Sequence, residues 1–107
     1  MATPLSLETD RRDDGTLVLI ATGELDLSNI DSFTHALVDA VSESDSAGRV
    51  TVDLSRVEYL DSGAINALFD HAVGTRVIVN PILMPVLTIS GLTELATVEP
   101  APRPADN

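Results

Sequence analysis

A chain of 107 residues fits one domain and is too short for two ordinary ones; with 44% apolar residues and only three aromatics, its core is built mainly from Val, Leu, Ile and Ala. A formal charge of −11, with no basic run longer than Arg11-Arg12, argues against binding a phosphate backbone and fits either a partner with a basic docking face or simply a solvated acidic surface. The absence of cysteine excludes disulfides, thiolate catalysis and Cys-ligated zinc.

The amino-terminal MATPLSLETDRRDD lacks the apolar h-region of a secretory signal. The longest apolar run, LVLIA at 17–21, is far too short for a membrane helix, so a soluble cytoplasmic protein with no membrane partner is expected.

Leu5 to Glu8 alternates weakly and reads as an edge strand. Arg11 to Gly15 is charged and ends in Asp-Gly, a turn signal, and LVLIATG then reads as a buried strand, so the pair forms a β-hairpin. In GELDLSNIDSFTHALVDAVSES, Ile30, Phe33, Leu37 and Val41 recur at helical spacing, with Ser28 or Asn29 as cap and Asp31 where the helix dipole favours an anion. Ser42 to Gly48 reads as a polar loop.

RVTVDLS, 49–55, alternates with Val50, Val52 and Leu54 on one side, which predicts a strand with Asp53 near its end. A short turn leads to Asp61-Ser62 and a helix whose apolar face is Ile65, Leu68, Phe69 and Ala72, stopped by Gly74. Arg76 to Asn80 is a further buried strand. Pro is tolerated only in a first helical turn, so Pro81 and Pro85 place the next helix at about Met84 to Ser90, ended by Gly91. Leu95 to Val98 is expected as a last short strand. The predicted organisation is one domain over 1–98 and a disordered Pro-rich tail over 99–107. Strands alternating with helices after a hairpin predict an α/β domain with a mixed sheet of four to five strands and helices packed on it.

Three chemical readings compete at Asp61-Ser62. The nucleophile elbow of a serine hydrolase needs Gly-x-Ser-x-Gly, whereas Ser62 is flanked by Leu60, Asp61, Gly63 and Ala64. The available bases are His35 and His71, and His71 lies nine positions on, about 13 Å along a helix axis. Asp26, Asp53 and Asp61 could converge at one end of the sheet as oxygen ligands for Mg²⁺, although no spacing matches a known metal loop. No Gly-rich phosphate cradle is present. Taken locally, Asp61 and Ser62 are preferred helix caps.

TGELDLSN, VDLSRVEYLDSGAINAL and VLTISGLTEL occur in an order and at separations that together resemble the STAS domain of bacterial anti-sigma factor antagonists. The family shows G-E-L-D leaving the second strand, D-L-S-x-V-x-Φ-Φ-D-S-S/T-G-L joining the third strand to the second helix, and V-L-x-x-x-G-L closing the third helix. The resemblance covers nearly everything except the tail. It implies a STAS-like single domain that is not an enzyme and carries no cofactor and no metal. It further implies phosphorylation of Ser62 by an anti-sigma factor that is an ATP-dependent serine kinase. The unphosphorylated antagonist binds that kinase and releases a sigma factor; phosphorylation ends the binding. The docking surface implied comprises Asp26, Asp61, Ser62, Gly63 and Asn66, on a domain expected to be monomeric when free. Gly63 stands where the family has Ser or Thr, Ala64 where it has Gly, and Asn66 where it has a small residue. The alternative reading keeps the fold without the switch: a scaffold, or a small-ligand sensor in a signalling complex.

Overall fold

The structure is a computed structural model in which residues 4–44 and 49–101 are described. Leu17, Leu19, Ala21 and Leu25 alternate along one side of the second strand and are all buried, which fixes the inner face of the sheet. β1 (Ser6–Arg11) runs antiparallel to β2 (Leu17–Leu25). In the hairpin turn, Arg12 N donates to Thr16 O at 2.8 Å and Asp14 Oδ1 accepts from Thr16 N at 2.9 Å. β3 (Val50–Leu60), β4 (Arg76–Val79) and β5 (Thr97–Pro100) follow, each parallel to its predecessor, in the spatial order β1-β2-β3-β4-β5.

The parallel steps are bridged by α1 (Ile30–Glu43), α2 (Ser62–His71) and α3 (Met84–Ser90). All three crossovers step the same way across the sheet, so their right-handedness puts all three helices on one face and leaves the other, among the described residues, without a helical layer. Phe33, Leu37 and Ala40 of α1, Ala64 and Leu68 of α2 and Leu87 of α3 meet the inner strand residues in a single core. Each fully buried Leu or Phe contributes about 1.5–3 kcal/mol. The predicted α/β class, hairpin and mixed sheet are therefore observed, with five strands.

Several boundaries differ from the sequence reading, for local physical reasons. β3 continues to Leu60 instead of stopping at Ser55, because two register shifts against β2 each add a residue to β3. Its buried positions Leu54, Val57 and Leu60 are thus three apart, which hides the strand from a period-two reading. Asp53 consequently lies within the strand, opposite Ile20 and Ile78, and not near its end. Ser42 and Glu43 belong to α1, and residues 45–48 of the expected loop lie outside the described residues. The last strand is Thr97–Pro100, two residues later than expected, so Glu99 and Pro100 of the expected tail are paired with Ile78 and Val79; residues 102–107 lie outside the described residues. α3 has the expected bounds, with Pro85 in its first turn and Gly91 closing it at φ 91°.

Candidate functional site

Parallel pairing sets Leu25 of β2 beside Leu60 of β3, and Asp61 N donates to Leu25 O at 3.3 Å. The residues that follow the two strands, Asp26 and Asp61, therefore emerge together at the carboxyl end of the sheet, where open parallel sheets place their sites.

Asp61 is the N-cap of α2, and both of its carboxylate oxygens are engaged. Oδ1 accepts from Ala64 N at 2.9 Å and Oδ2 accepts from Leu27 N at 3.0 Å. One side chain thus ties the start of α2 to the loop between β2 and α1. Asp26 organises that same loop: its Oδ1 accepts from Ser28 N at 2.9 Å and from Ser28 Oγ at 2.5 Å. Asn29 precedes α1 as expected but gives no capping bond. Its side chain is drawn away, accepting from Asp26 N at 3.0 Å and donating to Glu24 O at 2.9 Å. Neither Asp26 nor Asp61 has an Arg partner among the described residues.

Ser62 is the first residue of α2 and is exposed; Asn66, one turn on, is exposed on the same side. The N–H groups of Ser62 and Gly63 belong to the first turn, where no helical acceptor exists, so an anion on Ser62 would meet free donors and the positive end of the helix dipole. Gly63 is half-buried beneath Leu27, a residue the sequence reading did not single out. Leu27 is 73% exposed, an apolar side chain inside the polar loop LDLSN, and that mismatch was the available signal.

The structure does not assemble the rival chemistries. His71 closes α2 at the end opposite Ser62, and His35 is exposed on α1. Asp53 is separated from Asp26 and Asp61 by the upper half of β3, roughly 20 Å of strand. The expected convergence of three carboxylates reduces to the pair Asp26 and Asp61.

A family model described as Mlab, STAS domain, matches residues 8–97. Among solved structures, an anti-sigma factor antagonist from Mycobacterium paratuberculosis is similar over 94% of this chain and 92% of its own, with 21% identity and a TM-score of 0.79. The anti-sigma factor antagonist SpoIIAA in its unphosphorylated form is similar over 87% of each chain, with 19% identity and a TM-score of 0.63. At these identities the likeness concerns the fold. No curated protein matches the chain.

Proposed function

The chain belongs to the STAS domain family, and on that premise we propose that it is an anti-sigma factor antagonist, not an enzyme, switched off by phosphorylation of Ser62. The partner is an anti-sigma factor with ATP-dependent serine kinase activity, and its capture frees a sigma factor. The domain acts in the cytoplasm as a monomer. The observation that carries the reading is the position of Ser62: exposed, first in α2, and directly beside a carboxylate whose oxygens are both committed.

A phosphoryl group there adds about −1.5 to −2 charge and three acceptor oxygens. The first-turn N–H groups accommodate it, so the fold persists. Asp61 cannot turn away from the new charge without releasing Ala64 N or Leu27 N, so the strain is expressed in the loop carrying Leu27. Asp26, Leu27, Gly63 and Asn66 share this end of the domain and form the docking surface with Ser62. A phosphate facing an interface, beside Asp61 on a chain of charge −11, costs several kcal/mol, a loss of roughly a hundredfold or more in affinity.

The test is capture of anti-sigma kinases by wild type, Ser62→Ala and Ser62→Asp, together with mass spectrometry after incubation with kinase and ATP. The alanine variant retains the partner and the aspartate variant loses it. Equal binding by both, with no phosphoryl group gained by the wild type, would favour a scaffold that lacks the switch.

A further inference from the structure

The sheet face turned away from the helices carries a cavity of about 290 Å³, remote from Ser62. Val18, Ile78 and Thr51 line it together with Arg12, Arg76 and Asp53. The chain has no lysine and six arginines against 17 carboxylates, and two of those arginines border this one cavity. Arg12 follows β1 and Arg76 opens β4, so the pair flanks β2 and β3 across about 14 Å of sheet.

Each guanidinium is anchored from outside. Arg76 donates through Nε at 2.9 Å and Nη2 at 2.6 Å to Glu99 Oε1, and Arg12 Nε stands 3.4 Å from Asp10 Oδ2. A guanidinium has five donors, so both keep capacity to bind. Asp53 is different. It is half-buried, its Oδ1 accepts from Ser55 N at 2.9 Å, and it has no ion-pair partner among the described residues. A part-buried carboxylate with no ion-pair contact among the described residues therefore sits between two guanidinium groups that keep free donors. A simple anion would meet Asp53 and also Asp14 on the wall; a simple cation would meet Arg12 and Arg76. A ligand carrying both signs pairs with Asp53 and with the two guanidinium groups.

We propose that this cavity binds a small zwitterion of the α-amino-acid type. Its ammonium rests on Asp53. Its carboxylate rests on Arg76, which the β3–β4 register places beside Thr51, one pleat repeat from Asp53. Arg12 closes over the carboxylate, and Val18 and Ile78 floor an aliphatic side chain. At about 30 Å³ per water, the space equals some ten waters, enough for a small amino acid.

The test is a ¹H–¹⁵N NMR titration of the full chain with a panel of the common L-amino acids, their N-acetyl and decarboxylated analogues, and inorganic phosphate. At least one aliphatic amino acid should shift Thr16, Val18, Thr51, Asp53 and Ile78 saturably. Each analogue missing one charge should bind at least tenfold more weakly. Asp53→Asn, which keeps an acceptor for Ser55 N, and Arg76→Gln should each lose at least tenfold while their spectra stay folded. Three results would overturn the proposal: no saturable shift by any amino acid, undiminished binding to Asp53→Asn, or phosphate shifting the same amides as strongly as the best amino acid.

Discussion

The side chain of Leu27 covers Gly63 so closely that a β-carbon on Gly63 would lie 2.4 Å from Leu27 Cδ2. The contact falls at a position where the resemblance leads one to expect Ser or Thr. What chiefly obstructs a larger residue is the far end of an exposed, flexible leucine, which can swing into solvent at little loss of buried area, with Leu27 Cγ at 3.2 Å and Asp61 Oδ1 at 3.4 Å the next nearest atoms. Gly63→Ala should therefore fold. It gains about 0.5–1 kcal/mol from a less flexible unfolded chain and better helix propensity, less the small cost of moving Leu27. Urea unfolding should show a higher midpoint at unchanged slope. The amide of Leu27 should shift by NMR, and partner capture should weaken if Leu27 contributes to docking.

Asp61 makes two bonds of different kinds, and a pair of substitutions separates them. Asp61→Ala loses the cap on Ala64 N and the tether on Leu27 N, and should lower stability by about 1–3 kcal/mol. Asp61→Ser restores a capping oxygen but is too short and has too few acceptors to hold Leu27 as well. It should recover roughly half of the loss, read from the same urea midpoints. Equal stability of the two variants would place the entire effect in the tether.

α1 and α2 and the faces they bury were legible because period-three-and-four apolar spacing survives in them, and the bounds of α3 were legible because Pro85 and Gly91 bracket it. Ser62 and Asp61 were legible as the start of α2 for the same reason. β3 was only half legible: its bulges set Leu54, Val57 and Leu60 three apart, so VDLSRVEYL does not alternate. Asn29 looked like a side-chain cap, but Glu24 and Asp26 compete for its amide and win. Leu27 showed only as an apolar residue inside the polar loop LDLSN; what it touches, a glycine in another element, no local pattern encodes.

Leu68 lies about one and two-thirds turns beyond Ser62 but faces the sheet and is fully buried. Leu68→Ala should cost about 2–5 kcal/mol through lost transfer energy and the cavity left behind. That is a large fraction of the 5–15 kcal/mol typical of a domain. Under conditions where the variant remains folded, its exposed docking residues are unchanged, so partner capture should persist. Thermal unfolding followed by circular dichroism, paired with the capture assay, checks both halves.

Asp14 supplies the acid-side signature. Its carboxyl is held below its ordinary value of 3.8, chiefly by the backbone N–H of Thr16, then by the Thr16 side chain, with a lesser contribution from the Arg49 charge, against some desolvation. A depressed folded-state value means that the carboxylate stabilises the hairpin turn above the unfolded value. That contribution fades as pH falls through the folded value, below 3.8. Asp14→Asn keeps an acceptor for Thr16 N and cannot titrate. The stability difference between wild type and Asp14→Asn should therefore be flat from neutral pH down to about 5, and should shift against the wild type below about 4. Added salt should shrink the share that comes from Arg49 and leave the share from Thr16, because an exposed charge at a distance is screened whereas the short hydrogen bond is not. Urea midpoints measured across that pH range at low and high ionic strength read out both effects.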